Sequence, residues 1–186
     1  GLPQVEGDGN TVKVGNANPL FSMGWSHTLS YKGVSLYFLI DCRYGGDILS
    51  QTQADMDMYG VSKTTADARD DGYIMLEGHL VENVKGFYKN VVGGRAGVTE
   101  YYMYDATNVR LRELSLNYQL PAGWIAKTKV FKDIQLSFVG RNLFFIYKKA
   151  SFDPDLVLST GNDNQGIEVY GMPTTRSWGF SIKCEF

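Results

Sequence analysis

Apolar and polar residues alternate along five segments of the chain, and each alternation predicts a half-buried β-strand. The segments are Phe21–Tyr31, Val34–Tyr44, Thr107–Leu120, Phe131–Tyr147 and Thr174–Phe186. Only Lys32-Gly33 separates the first two, so we expect them to form a hairpin with a tight turn. The pattern predicts an all-β, antiparallel chain.

The alternation changes phase inside the third and fourth segments. In the third, the apolar residues move to the other parity after Leu111, and a β-bulge near Arg112-Glu113 would reconcile the two halves. In the fourth, the change falls after Phe138, and Gly140 is the expected point of the slip because glycine often marks a bulge within a strand.

Short and long connections alternate between the five segments. The first and third segments are followed by short connections, whereas long polar stretches follow the second (from Gly45 to about Tyr104) and the fourth (from Lys148 to about Met172). The first long stretch is rich in Gly and Asp and has poor periodicity, with one short helix expected around Thr64–Asp70. A loop of this length is unusual inside a compact soluble domain.

This alternation places all short turns on one rim of the sheet and all long loops on the other. Outer-membrane barrels have short turns in the periplasm and long loops outside the cell. We therefore predict the last five or so strands of a large transmembrane β-barrel, with an extracellular loop over about residues 45–104 and a last strand over 174–186. The carboxy-terminus then lies on the periplasmic side.

Composition supports the prediction of β-strands and argues against a nucleic-acid partner. Aromatic residues make up 13% of the chain, with 12 Tyr and 10 Phe, and these residues favour pleated, half-buried surfaces. The net charge is −2 and the basic residues are scattered, so a nucleic-acid partner is not indicated. Two cysteines are too few for a disulfide framework.

The last segment alternates up to Phe186 and carries a specific pattern. Ser177, Gly179, Ile182 and Cys184 fit polar-x-Gly-x-x-apolar-x-apolar before a closing aromatic residue. One interpretation is an edge strand of a soluble sheet. The other is a barrel-assembly signal for the outer-membrane insertion machinery, formed by Gly179, Phe180, Ile182 and Phe186.

Several motifs, in the same order, resemble those of the SusC/RagA-like group of TonB-linked outer-membrane transporters of Bacteroidetes. They are Gly15-Asn16-Ala17-Asn18-Pro19, Tyr31-Lys32-Gly33, the strand ending in Gly45-Gly46-Asp47, Arg110-Leu111-Arg112-Glu113-Leu114-Ser115-Leu116, Gly140-Arg141-Asn142-Leu143-Phe144, Asp153-Pro154-Asp155 and the closing strand. The resemblance covers nearly the whole chain.

The resemblance implies a plugged barrel of about 22 strands that imports oligosaccharides or peptides. It also implies energy from TonB and a SusD-like surface lipoprotein over the extracellular mouth. The family's plug and TonB box lie amino-terminal to the part that this chain resembles. We therefore expect a fragment that is not transport-competent alone.

We find no pattern typical of an enzyme, a cofactor or a metal site. His27 lies on an apolar strand face and His79 in the long loop, where structural roles are expected. Asp55-x-Asp57-x-x-Gly60 lacks the spacing and the later bidentate Glu of a calcium loop. The acidic loop residues are expected to be solvated, and they are Asp70, Asp71, Asp153, Asp155 and Asp163.

Substrate contacts cannot be assigned from the pattern, although the long loop contains a group of tyrosines. Tyrosine can stack on sugar rings, but it also packs loops internally. The group is Tyr59, Tyr73, Tyr88, Tyr101, Tyr102 and Tyr104. The alternative function is a soluble, secreted β-sandwich that binds carbohydrate, which would explain the aromatic residues but not the one-sided loops.

Overall fold

The computed structural model describes residues 2–4, 12–156, 158, 161 and 164–186. Its strands, in chain order, are β1 (Phe21–Tyr31), β2 (Val34–Tyr44), β3 (Asp47–Ser50), β4 (Ile74–Leu76), β5 (His79–Val81), β6 (Met103–Asp105), β7 (Asn108–Gln119), β8 (Asp133–Lys148), β9 (Ile167–Glu168) and β10 (Ser177–Glu185). Its α-helices are α1 (Gln51–Tyr59), α2 (Lys63–Asp71), α3 (Val84–Gly86) and α4 (Ala122–Ile125).

The chain divides into two compact units. The strand unit comprises Leu20–Tyr44, Thr107–Asp153 and Pro173–Phe186. The loop unit comprises the described residues of 1–19, 45–106 and 154–172, so three separate pieces of sequence build it.

The strand unit is one antiparallel sheet with the order β1-β2-β7-β8-β10. The predicted turn between β1 and β2 is confirmed: Lys32 has φ 46° and Gly33 φ 85°, the left-handed conformations of a two-residue hairpin turn. Arg43 pairs with Asn108, and Asn108 pairs with Lys148. Both long insertions therefore leave the sheet at the same end of its strands, as predicted.

The bulge predicted near Arg112-Glu113 is present at Arg112. Leu39 pairs with Glu113 and the next residue, Ile40, pairs with Leu111, so the register skips Arg112. The same skip recurs in the pairing of β7 with β8. The extra residue explains why the apolar parity of β7 changes midway.

The prediction that the register of β8 changes at Gly140 is wrong, because the change lies about two residues further along the strand. Gly140 pairs regularly with Leu114 on one side and with Trp178 on the other. The register shifts instead between Arg141 and Phe144, where Asn142 adopts a φ of 51°. Asparagine tolerates this left-handed conformation because its short polar side chain can hydrogen-bond locally.

The loop unit contains helices that the poor periodicity of its sequence did not indicate. The short helix expected at Thr64–Asp70 is confirmed as α2, which begins after Ser62, whose side chain accepts a hydrogen bond from the Thr65 amide. Helix α1 was not predicted. It begins after Ser50 and ends at Gly60, which has a φ of 70°.

A small core holds the loop unit together. The chain continues from α3 into a π-helical turn, Phe87–Val92, and a 3₁₀ turn, Thr99–Tyr102, precedes β6. Phe87 is fully buried and Tyr102 is 1% exposed, and they pack with Ala54, Ala68, Val81, Val84, Tyr88 and Val92. Two small sheets complete the unit, with the strand orders β6-β3-β9 and β4-β5.

Within the described ranges, none of the helices is both long enough and apolar enough to pass through a membrane.

Candidate functional site

One face of the strand unit is apolar and open to its surroundings. Trp25 is 53% exposed, Phe138 44% and Phe180 65%, although each lies within a regular strand. The other exposed apolar members of these strands include Phe21, Met23, Leu29, Leu116, Trp178 and Ile182. Monomeric soluble proteins rarely expose a contiguous apolar patch of more than a few hundred Å². This face is therefore suited to an apolar environment such as lipid.

Aromatic pairs lie at both ends of the strands. At the end that carries the long insertions, the Phe21 and Tyr44 rings stack with centroids 5.3 Å apart. At the opposite end, the Phe131 and Phe186 rings lie 5.0 Å apart. Outer-membrane barrels carry aromatic girdles at both membrane interfaces. The two pairs lie at opposite ends of the strands, as the residues of such girdles do.

Ion pairs link neighbouring strands on the polar side of the sheet. The Arg112 guanidinium donates to Asp41 Oδ2 from Nε at 3.0 Å and from Nη2 at 2.8 Å, which joins β7 to β2. Arg141 Nε lies 3.3 Å from Glu113 Oε2 and joins β8 to β7. Both acidic side chains are about one-third exposed, so water screens these pairs and each contributes little to stability.

A buried ion pair corrects the prediction that Asp153 is a solvated loop carboxylate. Arg110 Nη2 lies 3.2 Å from Asp153 Oδ2, and the two side chains are only 4% and 7% exposed. Thr174 also donates to this oxygen, from its amide at 3.3 Å and its hydroxyl at 2.5 Å. The Arg110 guanidinium lies 4.2 Å above the Phe145 ring. The pair ties β7 to the chain that follows β8, and the hydrogen bonds from Thr174 tie the start of the β10 segment to the same carboxylate.

Little in the sequence indicates that Arg110 and Asp153 form a buried pair. Arg110 is at a polar position of an alternating strand, where an exposed side chain is the ordinary expectation, and Asp153 stands in an Asp-Pro-Asp turn. Asp155 is half-buried, and Asp70 and Asp71 are exposed as predicted. Asp163 lies outside the described residues. Asp153 differs from the other acidic loop residues in its ion pair with Arg110, which only the folded structure shows.

The four residues predicted to form an assembly signal lie on or beside β10. Phe180, Ile182 and Phe186 are 65%, 58% and 71% exposed. Gly179 pairs with Val139, and a Cβ at this position would meet no atom closer than 3.9 Å. The fold itself therefore does not require glycine there. Lys132 holds the strand end through its amide on the Glu185 carbonyl and its Nζ on the Phe186 backbone oxygen, both at 2.7 Å.

A buried carboxylate organises the core of the loop unit. Asp57 is 2% exposed and accepts hydrogen bonds from Gln53 Nε2 at 2.7 Å and from the Tyr102 hydroxyl at 3.1 Å. Burial, together with the charge of Asp57, raises the pKa of Tyr102 far above its ordinary value. Asp57 thus serves the fold and is not positioned as a calcium ligand.

The tyrosines of the long loop fall into two groups. Tyr88 and Tyr102 are 4% and 1% exposed and pack inside the loop unit, so neither ring is available on the outer surface of the loop. Burial is also the main cause of the raised pKa of Tyr88. Tyr59 and Tyr73 are 73% and 44% exposed and remain available for contact.

A second buried carboxylate, Glu168, was not singled out by the sequence. It accepts hydrogen bonds from Ser50 Oγ at 2.8 Å, Thr52 Oγ1 at 2.6 Å and the Gly171 amide at 3.2 Å. Both carboxylate oxygens are engaged, so we assign it a structural role. Among the described residues, no group of three or more His, Cys, Asp or Glu side chains is placed to hold a metal ion.

The strand unit is thus a two-faced antiparallel sheet whose long insertions leave at one end of its strands. No family model matches the chain. It is 25% identical over 178 residues to the TonB-dependent receptor P3 of Formosa agariphila, covering 93% of this chain and 17% of that receptor. The chain thus spans about a sixth of the length of this relative.

Solved structures of the RagAB peptide importer have a similar fold. The chain matches the RagAB peptide importer in the "closed-closed" state with a TM-score of 0.65 and 18% identity, covering all of this chain and 21% of the other. It matches the "open-open" state with a TM-score of 0.59 and 20% identity, covering 91% and 17%. The predicted resemblance to SusC/RagA-like TonB-dependent transporters is confirmed.

Proposed function

We propose that this chain is part of the barrel wall and extracellular mouth of an outer-membrane TonB-dependent importer for oligosaccharides or peptides. The observation that carries the proposal is the exposed apolar face of the strand unit, on strands of 9 to 16 residues. A membrane-spanning β-strand needs about 9–11 residues at a tilt of about 45°. The likeness to a TonB-dependent receptor supports the same assignment.

In this proposal the strand unit separates lipid from the lumen, and the loop unit is extracellular because both insertions leave the sheet at one end. The carboxy-terminus is then periplasmic. The outer strands β1 and β10 pair with further strands of the same barrel, which removes two exposed edges. The chain does no chemistry and is not an enzyme.

Transport needs the rest of the receptor, because this chain spans 17% of its relative. We infer that TonB acts through a part outside these residues, and that a SusD-like surface lipoprotein covers the extracellular mouth. The RagAB structures are named for a peptide importer, which supports peptide as one class of cargo. The 186 residues alone are therefore not competent for uptake.

We also propose that Gly179, Phe180, Ile182 and Phe186 are read by the barrel-assembly machinery. The support is that the three apolar side chains are exposed and that nothing in the strand unit requires Gly179. In the complete receptor, Phe186→Ser should lower the amount of folded protein in the outer membrane. Phe131→Ser, which removes the ring that packs against Phe186 at a centroid distance of 5.0 Å, is the control for lost packing. Equal losses in both variants would contradict an assembly signal.

The membrane proposal is tested with two adjacent residues on opposite faces of β1. Trp25 and Ser26 are both exposed, but only Trp25 lies on the apolar face. An arginine facing lipid near the bilayer midplane costs about 2–4 kcal/mol, whereas a lumen-facing one does not. In the complete receptor, Trp25→Arg should reduce folded outer-membrane protein and cargo uptake, and Ser26→Arg should leave the folded amount unchanged. A soluble, folded Trp25→Arg protein outside the membrane would instead favour a secreted carbohydrate-binding module.

A further inference from the structure

The loop unit contains a cavity of about 390 Å³ that none of the preceding roles uses. Its walls are the end of α1, one side of α2 and the helical segment that begins at Val84. Pockets for small ligands typically measure about 300–1,000 Å³. The cavity is therefore large enough for a single residue or ring of a larger cargo, but not for a folded partner.

Three cationic side chains line this cavity, against one carboxylate. The cations are Arg69 from α2 and Lys85 and Lys89 from the segment after Val84, and the carboxylate is Asp57. Both oxygens of Asp57 already accept hydrogen bonds from Gln53 and Tyr102. The lining has an excess of positive charge, whereas the whole chain has a net charge of −2. This local reversal of sign favours an anionic ligand.

The cations are available to a ligand. Lys85 and Lys89 are exposed, and neither forms an ion pair with another residue in the described part of the chain. The Arg69 guanidinium is held in place because its Nη1 donates to the Gly60 carbonyl at 2.8 Å. The remaining guanidinium donors can bind an oxyanion, and guanidinium matches the planar geometry of a carboxylate.

The lining also contains apolar side chains, which would contact the uncharged part of the ligand. Met58, Val84 and Tyr88 contribute to the walls, and Tyr88 is 4% exposed. Methionine adapts its shape to different partners. Apolar walls of this kind can bury the uncharged part of a ligand whose anionic group the exposed cations attract.

We propose that this cavity binds a carboxylate of the cargo together with the apolar or ring-shaped group that carries it. The inference rests on the proposed import function and deepens it, because it assigns an anionic end to the cargo. Two sources supply this chemistry: the carboxylate of a peptide and the carboxylate of a uronic acid. The ligands in the experiment distinguish them.

The test uses the complete receptor in detergent and measures binding by calorimetry. The ligands are a tripeptide with a free carboxylate, the same tripeptide amidated, a uronic-acid disaccharide and its neutral counterpart. The protein variants are Lys85→Gln combined with Lys89→Gln, and Lys127→Gln as the control. Lys127 is an exposed lysine in the connection between β7 and β8, outside the cavity lining.

We expect one acidic ligand to bind and its neutral counterpart to bind about tenfold more weakly, because the neutral counterpart lacks the charge that the cations attract. The double lysine variant should lose a similar factor, Lys85→Arg combined with Lys89→Arg should restore it, and Lys127→Gln should have no effect. Binding of the tripeptide supports a peptide cargo, and binding of the disaccharide supports an acidic sugar.

The inference is overturned if neither acidic ligand binds more tightly than its neutral counterpart, or if the double lysine variant binds as the wild type does. Uptake of any cargo by cells that express these variants is measured in parallel. If uptake persists without charge-dependent binding, the proposed carboxylate site is ruled out but the proposed import function is not. If cells with the wild-type receptor take up no cargo, the proposed import function itself is ruled out.

Discussion

The indole of Trp178 occupies the space that a side chain at Gly140 would need. The two residues are paired across β10 and β8, and a Cβ at Gly140 would lie 2.5 Å from Cζ3 of Trp178 and 2.7 Å from Cδ2 of Leu143. The indole stacks on Phe138, with ring centroids 5.4 Å apart. Glycine is therefore required at position 140 by a neighbouring ring and not by its own backbone conformation.

This contact predicts a specific loss of stability. Gly140→Ala forces the indole off the sheet, and overpacking of this kind costs about 1–3 kcal/mol. Gly179→Ala is the matched control, because a Cβ there meets nothing closer than 3.9 Å. Urea unfolding of the complete receptor in detergent, followed by tryptophan fluorescence, measures both variants. Equal stability of the two would contradict the steric explanation.

The buried pair of Arg110 and Asp153 predicts a larger effect. Asp153→Ala leaves a charged guanidinium buried without its carboxylate, and breaking such a pair typically costs about 3–5 kcal/mol. We expect the free energy of unfolding of the strand unit to fall by this amount, and proteases to cut more readily near Thr174. The control is Asp67→Ala, which removes an exposed pair with Lys63 and should cause no measurable change. A similar tolerance of both substitutions would show that the buried pair contributes nothing.

The hydrogen bond from Tyr102 to Asp57 should stabilise the loop unit. Tyr102→Phe leaves one oxygen of a buried carboxylate without this donor, and a hydrogen bond to a charged group is worth about 1.5–3 kcal/mol. Tyr59→Phe removes a hydroxyl from a side chain that is 73% exposed and should be neutral. Hydrogen exchange of the α1 amides in the two variants measures the difference. Unchanged protection in Tyr102→Phe would refute this role.

Alkaline pH should destabilise the loop unit. Burial raises the pKa of Tyr88 and Tyr102, so the folded state keeps protons that the unfolded chain releases above about pH 10. Below about pH 10 both tyrosines are protonated in the folded and in the unfolded chain, so they add no pH dependence to the free energy of unfolding. Above it, the free energy of unfolding falls by up to about 1.4 kcal/mol per pH unit for each tyrosine. The slope between pH 10 and 11.5 should be shallower in Tyr102→Phe, and an unchanged slope would count against the assignment.

The alternation along the sequence was sufficient to predict the five strands of the strand unit, but not every register or contact within it. The alternation of β1 and β2 gave their bounds, because each residue faces either an apolar or a polar environment and the period of two is unambiguous. The parity change in β7 located the bulge at Arg112. The slip in β8 was misplaced because glycine was taken as its cause, whereas Asn142 has the left-handed conformation and Gly140 has a packing role.

The loop unit was less accessible to sequence reasoning. In α1 the apolar residues Ala54, Met56 and Met58 recur every second position, which gives no helical signal. The helix forms because Ser50 and Gly60 cap it and because its buried side, with Ala54 and Asp57, packs in the core. A buried Asp or Glu cannot be told from a solvated one without the partners that surround it. Asp57, Asp153 and Glu168 are three such cases.

The pairing of β3 with β9 sets the order in which the chain can fold. Ser50 and Glu168 are 118 positions apart, yet their side chains are joined at 2.8 Å and their strands run parallel. The whole β7–β8 hairpin is synthesised between them. Contacts this distant in sequence form slowly, because the entropy of closing the loop is lost before the contact is gained. The loop unit therefore completes its folding only after β9 has been synthesised, and a chain that ends before Gly171 lacks the backbone amide that donates to Glu168 Oε1.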